Sequence, residues 1–451
     1  MRISSIISEY NPFHEGHKYH MENTKKITNC DYNIVIMSGD FTQRGTPAII
    51  DKYARTRQAL CNGADLVLEL PVCFATASAE GFAFGAVSIL EKLGVVDSLV
   101  FGSECGDINI IQKVADFLSD ESLEYKEILQ MYLKQGLSFP KARAKALHEI
   151  FPDLDSDFLA SSNNILGIEY CKALKYFNSP IVPMTITRKD NLYHDEELSE
   201  IGKLSSATAI RKVLLERRLS SKSNKDECPI SCNNLVISDI FSLLSGHLPE
   251  NSLNVLKENW EISAPVCSDD FSLLLKYKLL LETRETLVQY LDITSDLADR
   301  IYNNLNLYKD FDSFCDLLKS KELTYTRIAR SLLHILLDIK QNEYELYKKG
   351  SFNKEYQLIE SIDNSKINHS YGQYARILGF RKEASPLLRK IKDNASIPLI
   401  SKLSDSVKEF DSAALSMLEK DIQAAHIYES VVADKFGKEF RNEFQRQLVI
   451  V

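Results

Sequence analysis

Two histidines bracket a glycine at His14-Glu15-Gly16-His17, directly after Glu9-Tyr10-Asn11-Pro12-Phe13 and before Lys18-Tyr19-His20. Imidazoles donate hydrogen bonds. A helix starting at this point would add free main-chain N–H groups and the positive end of its dipole, which together make a cradle for phosphate. Gly16 lets the backbone come close. When an α-phosphorus is attacked and pyrophosphate leaves, negative charge builds on the phosphate oxygens. Fixed donors then act by electrostatic stabilisation, without a covalent intermediate on the protein. The same residues admit two other readings: capping or surface histidines, or a metal site with His-x-x-His spacing.

A second group lies far along the chain, at Lys203-Leu204-Ser205-Ser206-Ala207-Thr208-Ala209-Ile210-Arg211. Ser205 or Ser206 can cap a helix, and Arg211 on its first turns supplies a charge for the pyrophosphate end. By itself this is also the pattern of an ordinary capped helix with a surface arginine. The loop Ser38 to Arg44 follows an apolar run, and Asp40, Gln43 and Arg44 are candidates to shape a pocket for the group that attacks. Asp40 is the candidate base.

The elements that must hold these residues follow from periodicity. Arg2 to Ser8, Tyr32 to Met37, Leu66 to Leu70, Ser98 to Phe101 and Ile181 to Thr187 read as strands. Gly16 to Ile27, Asp51 to Asn62, Ala79 to Leu93 and Asn164 to Tyr176 read as helices, with helical spacing also from Asn109 to Leu147 and from Ser206 on. Alternation of this kind predicts an α/β, Rossmann-like parallel sheet, whose ligands bind at the carboxyl ends of the strands. Residues 1–220 are expected to form that ligand-binding catalytic domain. A Ser, Lys, Asn and Pro-rich stretch marks a linker at 221–235, and 236–451 reads as a mostly α-helical second domain.

The chain has 451 residues, enough for two domains with separate cores. With 44% hydrophobic and 26% charged residues it has the composition of a globular protein, not of a disordered or membrane-embedded chain. Met1 to Ile7 is too short an apolar run for a signal peptide. Val72 to Leu90, interrupted by Glu80, falls short of the about 20 mostly apolar residues of a membrane span. Nine scattered cysteines suit reduced thiols in a cytoplasmic setting, and Cys228 and Cys232 lack the second pair that a zinc ribbon needs. The net charge of −9 gives no global attraction for nucleic acid, so any RNA contact has to come from local basic patches.

The segment around His14 and His17 resembles the HxGH signature of the nucleotidyltransferase superfamily, and the segment ending at Arg211 resembles that superfamily's ISSTxIR stretch. Met37 to Ala48, Ala64 to Pro71, Phe101-Gly102-Ser103-Glu104 and Ser162 to Gly167 narrow the likeness to the bacterial tRNA(Met) cytidine acetate ligase family, densely as far as Arg211 and more loosely beyond. The resemblance implies activation of acetate with ATP to acetyl-adenylate, then transfer of the acetyl group to N4 of the wobble cytidine of elongator tRNA(Met), giving N4-acetylcytidine. It also implies an ATP site made by Ile7, Ser8, Glu9, Tyr10, Asn11, Pro12, Phe13, His14, Glu15, Gly16, His17, Lys18, Tyr19 and His20, completed by Gly102, Asn163, Arg188 and Ser206. His14, His17, Asp40 and Arg211 are the expected catalytic residues, Mg²⁺ is expected to accompany ATP, and neither a protein-held metal nor a stable protein partner is expected. Tyr325 to Arg330 and Tyr371 to Lys382, with Arg389, Lys390 and Lys392, are the candidate tRNA contacts because they mix cations with tyrosines. The phosphate cradle alone would equally serve a small-molecule nucleotidyltransferase or acyl-adenylate ligase, and a non-catalytic RNA-binding scaffold is a third reading.

Overall fold

Strand apolar residues fall alternately on two faces, and both faces are covered. The computed structural model describes residues 1–137, 139–154, 158–159, 161–188, 198, 204–223, 239–349, 370–406, 410 and 412–451. Strands β1 (Ile3–Ser8), β2 (Tyr32–Ser38), β3 (Leu66–Leu70), β4 (Ser98–Ser103) and β5 (Val182–Thr187) lie parallel in the order β5-β4-β1-β2-β3. Ile3, Ile34 and Leu66 enter the core on one face, and Ile6, Val35 and Val67 enter a second core on the other. This is the period of two expected of a strand, in a sheet buried on both sides.

Helices α1 (Glu15–Thr28), α2 (Lys52–Cys61), α3 (Ala79–Lys92) and α4 (Ser162–Tyr176) run between these strands, and three further helices fill 108–150 as the sequence predicts. The strand order reverses direction between β1 and β4. These two pair only at Ser4 with Ser98 and Ser5 with Leu99, so the ladder stops before their carboxyl ends. A crevice at such a switch point is where open α/β sheets bind ligands.

Helix α5 (Ala207–Ser223) runs into the start of the expected linker, of which residues 224–235 lie outside the described residues, as do Lys203, Cys228 and Cys232. The following segment is mostly helical, including α6 (Glu250–Asn259), α7 (Tyr325–Leu336) and α8 (Ser412–Phe436). Its described residues share a core with the sheet. Strand β6 (Ala375–Phe380) pairs antiparallel with β3 and continues the sheet, while β7 (Leu399–Ile400) and β8 (Val449–Ile450) pair with β6. The largest core accordingly runs from Ile3 to Val432. Separate cores are thereby corrected.

The same strand corrects part of the expected tRNA surface. Tyr374 and Arg376 are buried beside β3. Arg376 pairs with Glu69 at 2.9 Å and Glu443 at 2.7 Å, and the Tyr374 hydroxyl donates to Asp421 at 2.6 Å. Tyr371 is buried too. A lone arginine among apolar residues is stable there because two carboxylates meet it, with Lys52 closing the group at 2.8 Å from Glu69 and 2.6 Å from Glu443. In α7, Tyr325 donates to Asp312 and Arg330 pairs with Asp292, while Arg389 and Lys392 remain exposed. Among the described residues no helix is long and apolar enough to cross a membrane.

Candidate functional site

The crevice between β1 and β4 widens into a cavity at the starts of α1 and α5. Ile7, Ser8, Glu9, Tyr10 and Asn11 come from the end of β1, and His14, Gly16, His17, Tyr19 and His20 from α1 and its cap. Gly102 is the next-to-last residue of β4, Asn163 lies in the first turn of α4, Arg188 follows β5, Ser205 and Ser206 precede α5, and Arg211 lies on its early turns. Two motifs almost two hundred positions apart in sequence thus face one space. Arg211 joins them directly, since its Nη1 donates to the Asn11 carbonyl at 2.8 Å and its Nη2 to Thr208 Oγ1 at 3.1 Å.

His14 is the N-cap of α1. Its Nδ1 accepts the Gly16 N–H at 3.1 Å, and His17 Nδ1 in turn accepts the His14 N–H at 3.3 Å, a reciprocal capping box built from two imidazoles. A neutral imidazole carries one proton, so both rings hold it on Nε2. Both are neutral: burial together with Arg188 and Arg211 lowers the His14 pKa to about 3, and burial, His14 and Arg188 hold His17 well below its ordinary range. His20 is lowered to about 4 by burial and Arg188, and its Nε2 is buried without a hydrogen-bond partner. A buried polar atom left unmatched beside a cavity is the condition that a ligand oxygen would relieve.

The cradle differs from the sequence expectation in one respect. The first main-chain N–H groups of α1 are already engaged: Glu15 N–H donates to the His247 carbonyl at 3.0 Å, Gly16 to His14 Nδ1, and His17 and Lys18 to the His14 carbonyl at 2.9 and 3.1 Å. The imidazoles, not free amides, are the donors this helix end offers. Pro12, Phe13, Glu15 and Lys18 do not line the cavity. Phe13 packs into the core beneath it, and Lys18 lies 3.9 Å from Glu15. At the opposite wall the Asn163 amide donates to Glu104 at 2.7 Å, and a side chain at Gly102 would press on Arg188, its Cβ 3.3 Å from Arg188 Cγ. Ser206 caps α5 by accepting the Ala209 N–H at 3.0 Å.

Gln43 and Arg44 reach the cavity, and the Gln43 N–H donates to Glu9 at 2.8 Å, but Asp40 does not. Its carboxylate turns inward, accepts the Lys52 N–H at 2.7 Å and lies 3.9 Å from Lys52 Nζ. Burial raises its pKa to about 6 against the pull of Lys52 and Arg55. A carboxylate capping α2 from inside the protein cannot reach an attacking amine, and Glu9 is the one carboxylate among the described cavity residues. Sequence reading also missed Arg55. This buried guanidinium donates to the carbonyls of Glu9 at 2.7 Å, Ser38 at 3.1 Å, Gly39 and Ile50, tying the ends of β1 and β2 together under the cavity. A single arginine in a polar helical stretch carries no local sign of that task.

A family model for the HIGH nucleotidyl transferases matches residues 1–443. A tRNA(Met) cytidine acetate ligase of Clostridium perfringens is 40% identical over 436 residues, 95% of each chain, and one of Thermoanaerobacter is 38% identical over 430 residues, again 95% of each. Thermotoga maritima TmcAL, crystallised with alpha-thio ATP, superposes over all of both chains with a TM-score of 0.82 at 30% identity, and its apo form does so at 0.84 and 31%. The chain therefore belongs to the HIGH nucleotidyl transferase family, within its tRNA(Met) cytidine acetate ligase branch.

Proposed function

We propose that this protein condenses acetate with ATP to acetyl-adenylate and passes the acetyl group to N4 of the wobble cytidine of elongator tRNA(Met). The observation that carries the reading is the convergence of two neutral Nε2–H donors, on His14 and His17, with Arg188 and Arg211 around one cavity at the sheet's switch point. The relatives named above for this reaction, one of them crystallised with an ATP analogue, support it.

An acetate oxygen attacks the α-phosphorus and the bond to pyrophosphate breaks. His14 and His17 donate to the oxygens on which charge accumulates, and Arg211 neutralises the departing diphosphate. Neutral imidazoles can fill this role because, with Nδ1 accepting a main-chain N–H, each keeps its proton on Nε2 as a donor. Gly102, Asn163, Ser206 and Arg188 line the same cavity; in this reading the first two would face adenosine and the last two would flank the phosphates. The cytidine amino group then attacks the acetyl carbon, the acyl–phosphate bond breaks, and the amine's proton leaves with the AMP phosphate or to water, with Gln43 and Arg44 lining the same cavity.

Mg²⁺ would enter with ATP, held mainly by phosphate oxygens and water, since Glu9 is the one carboxylate found at the cavity among the described residues. The test is incubation of the protein with ATP, labelled acetate and tRNA(Met), followed by nucleoside analysis. Labelled N4-acetylcytidine is expected. AMP transfer that ignores acetate would overturn the reading in favour of a small-molecule nucleotidyltransferase, and absence of ATP turnover would favour a scaffold.

A further inference from the structure

Helix α1 begins at residue 15 and helix α5 at residue 207, and His247, outside both, touches the first residue of one and a residue just before the other. The His247 carbonyl accepts the N–H of Glu15, the first residue of α1, at 3.0 Å. Its ring Nδ1 lies 2.9 Å from Ser205 Oγ, just before α5. His247 is itself buried and does not line the cavity, whereas Ser205 does. Five residues further on, the Ser252 carbonyl accepts from Gln58 Nε2 at 3.0 Å, and Gln58 Oε1 accepts the Phe13 N–H at 3.3 Å. Residues 247–252, which lead into α6, thus grip the first motif at two points and the second at one.

Apolar packing joins this segment to α5. Leu244, Leu248 and Leu253 share a core with Ile210 and Leu214 of α5, with Ile49 and Ile50 just before α2 and with Ala54 in it. The apolar side of α5 is therefore fixed by the same segment that supplies His247. On the cavity side, the bond from Arg211 to the Asn11 carbonyl also ties the two motifs. Any residue could supply the carbonyl at 247. The bond to Ser205 needs a nitrogen or oxygen at the position of Nδ1, and burial keeps this imidazole neutral by lowering its pKa, so the link carries no charge that would compete for phosphate.

We propose that His247 is a positioning residue of the adenylate-forming reaction: its ring and carbonyl set the start of α5 against the start of α1, so that Ser205, Ser206 and Arg211 meet the same triphosphate as His14 and His17. The proposal rests on the ATP reading given above. His247 acts through Ser205 and the Glu15 N–H, and touches neither ATP nor acetate.

The experiment measures ATP binding and acetate-dependent ATP turnover for His247→Leu, His247→Asn, Ser205→Ala and the His247→Leu/Ser205→Ala double variant. Leucine keeps the carbonyl contact and the packing but removes the ring bond. Asparagine restores a polar atom at the Nδ1 position. The loss of one buried hydrogen bond predicts an ATP KM raised about ten-fold in His247→Leu with kcat changed much less, and most of the effect recovered in His247→Asn. The double variant is expected to be no worse than Ser205→Ala, because both changes break one bond.

Wild-type ATP affinity in His247→Leu, or multiplying effects in the double variant, would overturn the proposal. Should His247→Leu fail to fold, unchanged ATP affinity in Ser205→Ala, or an asparagine variant as weak in ATP binding as Ser205→Ala, would overturn it just as well. Wild-type protein that binds no ATP would instead refute the ATP reading.

Discussion

His14 and His17 stack with ring centroids 3.8 Å apart, and each ring accepts a main-chain N–H of the same helix turn through Nδ1. One interaction thereby caps α1, fixes both tautomers and leaves both Nε2 atoms as donors. The cap and the chemistry can be separated by substitution. In His17→Asn the amide retains an acceptor for the His14 N–H but has nothing at the Nε2 position. Adenylate formation should fall by about 100-fold to 1,000-fold, the range for losing one charge-stabilising donor, while the thermal midpoint stays near that of the parent. Pyrophosphate release and calorimetry measure the two effects. A full-speed variant would remove His17 from the reaction.

Arg211 holds Asn11 and Thr208 with two different nitrogens. A lysine offers one point charge on a flexible stem and cannot make both bonds. Arg211→Lys is expected to slow adenylate formation at least ten-fold without changing tRNA affinity, as measured by stopped-flow and by filter binding.

Acid should weaken the ligand-free protein through its buried imidazoles. Histidine ordinarily titrates near 6.5, whereas His20 is lowered to about 4 and His14 to about 3. Between these values the unfolded chain binds protons that the folded one refuses, so unfolding becomes easier as the pH falls from about 6.5 towards 4, and the loss levels off only once the folded-state values are passed. Urea titrations across that window should show a shallower loss for His20→Leu than for the parent. ATP, whose phosphates favour protonated neighbours, should flatten the loss as well. Equal slopes in parent and variant would contradict the burial assigned to His20.

Tyr374 and Arg376 test the corrected view of the sheet. The Tyr374 hydroxyl donates to buried Asp421, so Tyr374→Phe should lower stability by about 1 to 3 kcal/mol. Arg376→Met leaves Glu69 and Glu443 with Lys52 as their remaining cation in this group, and should cost about 3 to 5 kcal/mol. Neither change should alter tRNA affinity except through unfolding. A weaker tRNA complex in folded Tyr374→Phe would return that residue to the RNA surface.

What the sequence disclosed and what it hid follow from the range of the interactions. The first five strands repeat short apolar runs with helices between them, and His14 to His17 sits where strand yields to helix, so both are written locally. Ala375 to Phe380 is also a short apolar run, but such a run does not distinguish strand from buried helix, and its partner β3 lies about three hundred residues earlier. Asp40 follows a strand as a cleft residue would. Only the folded chain shows Lys52 drawing its carboxylate inward. Arg55 and His247 act through carbonyls and a serine distant in sequence, for which no spacing rule exists.

The most direct test of the cradle is acetate-dependent exchange of labelled pyrophosphate into ATP, run with and without tRNA(Met). The structure predicts exchange that requires acetate and that drops about 100-fold in both His17→Asn and Arg211→Ala. Exchange unaffected by either substitution, or no acetate-dependent exchange under either condition, would contradict it.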